Sequence, residues 1–221
     1  MSVESTSWAS ELPRGPHSLT RAQVEGSQRE RLMFAMVEVV AQKGYNATTI
    51  ADIVSGAGVS RATFYQLFED KLTCFIEANK IASQMMIGTL ESAIVAISDV
   101  DGIDAQARMN LLVERYLESI SIFAEYAKVF LVEVFSAGPD AIALRLELMN
   151  KFVDLVVESG WNKDLPNVDQ AQFRSFIDVI VSALSLKVTT AVGVGDMSSL
   201  DSFKHSMAVL IAQLIDNTHP A

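Results

Sequence analysis

Arg61, Ala62, Thr63, Tyr65 and Gln66 follow directly on a tight turn, Ala57-Gly58-Val59-Ser60. Their side chains are of the types that read bases. Arg bonds bidentately to guanine, the Thr methyl touches the thymine methyl, and Gln pairs with adenine. Thr49 and Ser60 stand where short helices begin, and free amides with the helix dipole suit a phosphate oxygen there. Each also has a plainer role open to it: Thr49 and Ser60 as helix caps, Tyr65 as a packing residue, Lys71 as a solvated charge.

Such residues need elements to hold them. Val24, Leu32, Ala35, Met36, Val39 and Val40 recur at three- and four-residue spacings, so about 20–43 is an amphipathic helix closed by Gly44. Thr49-Ile50-Ala51-Asp52 has the form of a capping box opening a short helix over about 49–56. Ser60 caps a second short helix, Arg61 to Leu67, and the pair forms a helix-turn-helix pattern. Ile53, Val54, Val59, Phe64 and Phe68 supply its apolar side. Beyond Asp70 the spacing predicts helices near 71–97, 103–122, 125–136, 140–159, 169–192 and 199–216, with a bend near Phe123-Ala124. The expected fold is all-α, with about nine helices and no strands. Gly 11 and Pro 5 are both low, which disfavours a hairpin-rich β fold.

The formal net charge of −10 speaks, as a total, against nucleic acid. Divided along the chain, the objection moves: residues 1–80 hold 8 basic and 9 acidic residues, residues 81–221 hold 9 and 18. A near-neutral head on an acidic body fits a small anion-binding module. On composition alone the plainer alternative, an ordinary solvated acidic surface, is favoured. At 50% hydrophobic and 20% charged residues the chain must fold around a large core.

The matching run Gly44-Tyr45, Thr48-Thr49-Ile50, Ile53, Ala57-Gly58-Val59-Ser60, Thr63-Phe64-Tyr65, Phe68 and Lys71 resembles the tetracycline-repressor (TetR) family of bacterial transcription regulators. The resemblance covers about 29–75. It implies a three-helix DNA-binding head over 20–70 and a helical effector-binding and dimerisation body over 71–221, with residues 1–19 as an N-terminal arm. It carries Thr49, Ser60, Arg61, Thr63, Tyr65 and Lys71 over as DNA contacts, with Tyr65 and Lys71 on phosphates and Arg61, Ala62, Thr63 and Gln66 facing bases. Gln66-Leu67 departs from the second aromatic or His common at this point, so no base preference transfers. The arm, Leu12-Pro13-Arg14-Gly15-Pro16-His17, resembles that of an actinobacterial subgroup, and Arg14 is a candidate for a minor groove.

In the body, Met109, Tyr116, Phe123, Tyr126, Phe130, Phe152 and Trp161 are either plain core or the lining of an apolar effector cavity. The last two helices are apolar around much of their circumference and need burial on most sides. The family's two-fold interface implies that Val181, Leu184, Val188, Met207, Leu210, Ile211 and Leu214 meet a second copy. A two-fold dimer would read a palindromic operator.

His17, His205 and His219 have no metal spacing, and neither a catalytic grouping nor a Gly-rich phosphate loop stands out. No cofactor, metal or enzymatic activity is expected. Cys74 is the single cysteine, consistent with a reducing compartment. The first residues lead into no apolar leader core, and the longest run free of Asp, Glu, Lys and Arg is 11 residues, His205 to Ile215. The expectation is a cytoplasmic, homodimeric, ligand-responsive repressor that binds operator DNA and a small apolar effector. An activator, an effector-independent regulator, and a helical ligand-binding or adaptor protein without DNA binding stand as alternatives.

Overall fold

In a computed structural model of the chain, residues 20–165 and 168–216 are described. The arm, with Arg14 and His17, lies outside the described residues, as does His219. Among the described residues all regular structure is helical, and it divides after Ile81 into two compact units.

The first unit holds α1 (Arg21–Lys43), α2 (Ile50–Ala57), α3 (Arg61–Leu67) and the start of α4 (Lys71–Ser98). Thr20 opens α1 with a reciprocal capping box to Gln23, and Thr49 opens α2 with one to Asp52. Between α2 and α3 the chain turns at Gly58, whose φ of 62° is left-handed and suits glycine. Gly56 lets α2 approach α1, since a Cβ there would stand 3.2 Å from the Cβ of Ala35. Leu32, Met36, Val40, Ile53, Phe64, Cys74 and Phe75 are fully buried. Cys74, Phe75 and Ala78 belong to this core, so the unit runs beyond the boundary at 70 expected from sequence.

The second unit holds the rest of α4, then α5 (Ala105–Ile122), α6 (124–137), α7 (Pro139–Glu158), α8 (Gln170–Val194) and α9 (Ser199–Asp216). The expected bend falls at Phe123, and α6 contains a π turn, Val129–Glu133, that periodicity does not reveal. A short 3₁₀ turn, Trp161–Asp164, follows α7. Met109, Leu112 and Val113 of α5 pack with Val153 and Val156 of α7, Ile177, Ile180, Leu184 and Val188 of α8, and Met207 and Ile211 of α9. Trp161 is part of this core, and its indole N–H donates to Ser98 Oγ at 2.9 Å.

By length and composition α4 and α8 are apolar enough to cross a membrane. In α8 the core face just named accounts for part of that apolar character, with 33% of the apolar stretch buried.

Four of the residues expected at a dimer interface need correction. Leu184, Val188, Met207 and Ile211 are buried inside their own protomer, so they leave little side-chain surface for a second copy. Val181, Leu210 and Leu214 are half-buried. The large apolar side chains that α8 and α9 expose are Val179, Leu186 and Val194 on the first and Val209 on the second.

Candidate functional site

Phe64 and Phe68 anchor α3 from one side and are almost fully buried. Full burial of a Phe side chain is worth roughly 1.5–3 kcal/mol. Arg29 of α1 holds the far end of the helix. Its Nη2 donates to the Leu67 carbonyl at 2.8 Å, its Nη1 pairs with Glu77, and its guanidinium lies 4.6 Å from the Phe68 ring centre. Arg29 was not among the residues singled out from sequence. Its partners lie 38 and 48 residues away, so no local spacing marks it.

The opposite side of α3 exposes Arg61, Ala62, Tyr65 and Gln66. Spacings of one, four and five residues from Arg61 put all four on one helical face. Tyr65 is 59% exposed, its ring edge-on to Phe64 at 5.5 Å. Thr63 is half-buried, and its hydroxyl lies 2.9 Å from that of Ser60. One hydroxyl of that pair donates to the other, which leaves one O–H for an outside acceptor. Ser60 Oγ also accepts the Thr63 amide at 3.0 Å, so it caps α3.

At the start of α2, Asp52 stands where an anion was expected. Its carboxylate accepts the Thr49 amide at 2.8 Å and the Thr49 hydroxyl, and pairs with Lys43 at 2.6 Å. These partners hold the Asp52 carboxyl well below the usual carboxylate range, the Lys43 hydrogen bond being the largest cause. A phosphate would have to take the Thr49 O–H from Asp52. In this structure Thr49 therefore acts as a cap.

Lys71 is engaged as well. Its Nζ donates to the carbonyls of Tyr45 at 2.9 Å and Thr48 at 3.0 Å and sits 4.0 Å from the Tyr45 ring centre. One of its three donors remains. Partial burial lowers its pKa from the usual lysine value.

In the second unit a cavity of about 90 Å³ is lined by Leu90, Ile94, Met109, Leu112, Tyr116, Phe152, Ile177, Leu184 and their neighbours. One water needs roughly 10–15 Å³ on the same measure, so several would fit. Of the aromatics expected to line a cavity, Tyr116 and Phe152 do, as does Met109. Phe123 and Tyr126 are exposed, and Phe130 is half-buried away from the wall. Trp161 borders a smaller hollow of about 20 Å³.

Sequence reasoning missed the polar part of this wall, Arg145 and Ser185. The signal was present: Arg145 stands in Ile142-Ala143-Leu144-Arg145-Leu146, a cation in an apolar run. Its Nη2 donates to Ser185 Oγ at 2.6 Å and Thr189 Oγ1 at 2.7 Å. Burial pushes the Tyr116 phenol up to about 12, with the charge of Arg145 pulling the other way, so the phenol stays protonated.

Residues 34–78 match the family model described as bacterial regulatory proteins, tetR family. The HTH-type transcriptional repressor KstR2 of Rhodococcus jostii (strain RHA1) is 24% identical over 176 residues, 77% of this chain and 79% of that protein. Two solved structures share the fold. The fatty acid degradation regulator FadR from Bacillus halodurans has a TM-score of 0.64 at 20% identity, over 82% of this chain and 94% of that one. The transcriptional regulator FadR from Bacillus subtilis, solved in complex with stearoyl-CoA, has a TM-score of 0.58 at 18% identity, over 85% and 96%.

Proposed function

From the match of residues 34–78 to the tetR family model, we propose that this chain is a transcriptional regulator, a cytoplasmic, homodimeric repressor released from its operator by a small apolar effector. The observation that carries the DNA-binding part is the exposed face of α3. Arg61, Ala62, Tyr65 and Gln66 stand clear of the protein while Phe64, Phe68 and Arg29 fix the helix behind them. Rigid backing is what a reading helix needs, because base readout depends on placement to within hydrogen-bond tolerance.

We assign the roles from exposure and free donors. Arg61, Ala62 and Gln66 face bases, Tyr65 and the free O–H of the Ser60–Thr63 pair meet phosphates, and Lys71 adds its charge and remaining donor. Thr49 and most of Lys71 serve the head's own structure first.

Val179, Leu186 and Val194 of α8, with Val209 of α9, are the surface that meets a second copy. Exposed apolar side chains along the last two helices favour association, and two-fold pairing presents two α3 helices to a palindromic site. The body cavity is the effector site. Its apolar wall supports this reading, as does the binding of stearoyl-CoA by the Bacillus subtilis regulator of the same fold. Operator and effector each favour one conformation, so linkage makes each weaken the other, by about 5- to 150-fold for a coupling of 1–3 kcal/mol.

A gel-shift with the region upstream of the chain's own gene tests the reading. A site-specific shift that weakens with salt supports it. Absence of such a shift at every tested operator would favour a helical ligand-binding protein instead.

A further inference from the structure

Among the described residues Arg145 is the one charged residue on the cavity wall. An arginine stays protonated even where burial lowers its pKa from the usual value, as it does here. Among the described residues no carboxylate pairs with it; its protein partners are the hydroxyls of Ser185 and Thr189, both reached through Nη2, and the Phe135 ring 5.6 Å away. The N–H groups of Nε and Nη1 have no acceptor among the described residues. Beside it on the same wall, the protonated Tyr116 hydroxyl donates no hydrogen bond among them. A partly buried cation without an anion is costly, and an anion brought by a ligand offsets that cost.

We propose that the cavity takes an amphiphile carrying a single carboxylate, which Arg145 and Tyr116 hold by charge-assisted hydrogen bonds while Leu90, Met109, Phe152 and Ile177 cover its apolar remainder. One guanidinium matches one negative charge. A phosphate ester or other multiply charged head would ask for further cations, and among the described residues the wall has none. Guanidinium geometry also fits the two oxygens of a carboxylate. The proposal rests on reading the cavity as an effector site and names the chemistry of the effector.

Calorimetric titration of the full chain tests it, with hexanoate, octanoate and decanoate set against hexan-1-ol, octan-1-ol and decan-1-ol. Each carboxylate should bind the wild-type chain roughly ten- to hundredfold tighter than its alcohol, the range of a hydrogen bond to a charged group. Arg145→Gln should abolish that preference and leave alcohol affinity in place, and Arg145→Lys should restore part of it. The wild-type comparison needs no variant, so a poorly folded Arg145→Gln does not blunt the test. Equal binding of carboxylates and alcohols overturns the proposal and leaves the effector cavity standing. Binding of neither series overturns both.

Discussion

The ammonium of Lys71 lies 4.0 Å from the ring centre of Tyr45 and donates to that residue's carbonyl at 2.9 Å. The same nitrogen reaches the Thr48 carbonyl, so one side chain at the start of α4 fixes the loop that leads into α2. A residue that the tetracycline-repressor resemblance assigns to phosphate is thus also a strut of the head.

Lys71→Ala should therefore weaken DNA binding evenly across operator variants and also lower the stability of the free protein. The Thr48 carbonyl loses its donor, at roughly 1–3 kcal/mol for a polar group left unsatisfied, while the Tyr45 carbonyl keeps the Thr48 amide. Urea unfolding without DNA separates the roles: an unchanged midpoint would mean that Lys71 serves phosphate alone.

Arg61→Ala and Gln66→Ala should behave differently. Both side chains are exposed, so stability should hold within about 0.5 kcal/mol. Discrimination at one position of each half-site should fall by about 1–3 kcal/mol. Competition gel-shifts with single-base operator variants read this directly, and a uniform loss at all positions would count against base contact.

Asp52 gives the head a pH dependence of defined sign. Its folded pKa is held below the unfolded value of about 3.9 by Lys43 and Thr49. It therefore contributes stability above that value and loses it as pH falls toward and below its folded pKa. Asp52→Asn should flatten the acid limb of the unfolding midpoint below about pH 4. An unchanged limb would place the acid sensitivity elsewhere.

Leu186 and Val188 are two residues apart on α8 yet have opposite fates, 72% and 0% exposed. Leu186→Glu should halve the mass seen by light scattering and leave the protomer folded. Val188→Ala should keep the mass and cost roughly 1–3 kcal/mol of stability. The reverse pattern would return the interface to the face first expected.

That contrast shows where the sequence stops informing. The head was legible because its signals are local: Thr49 and Asp52, Ser60 and Thr63, and Gly58 act within four residues of one another. Its three helices lie within a residue or so of the expected bounds. Helix α8 was legible as a helix but not in its orientation. Val181, Leu184 and Val188 repeat with the same period as Val179, Leu186 and Val194, and only packing against α6, α7 and α9 decides which line turns inward. Among the cavity candidates, apolar character alone did not separate Phe152 on the wall from Phe123 in solvent. Arg29 was hidden because Glu77 and Leu67 are remote in sequence.

Selection from a random pool of double-stranded DNA with the full chain tests the central claim most directly. The account predicts enrichment of a two-fold symmetric site whose half-site centres lie about 34–36 Å apart, or a multiple of that spacing. A variant with Arg61, Tyr65 and Gln66 all replaced by alanine should enrich nothing. Failure of the wild-type chain to enrich any sequence, or enrichment of the same site by the triple variant, would contradict it.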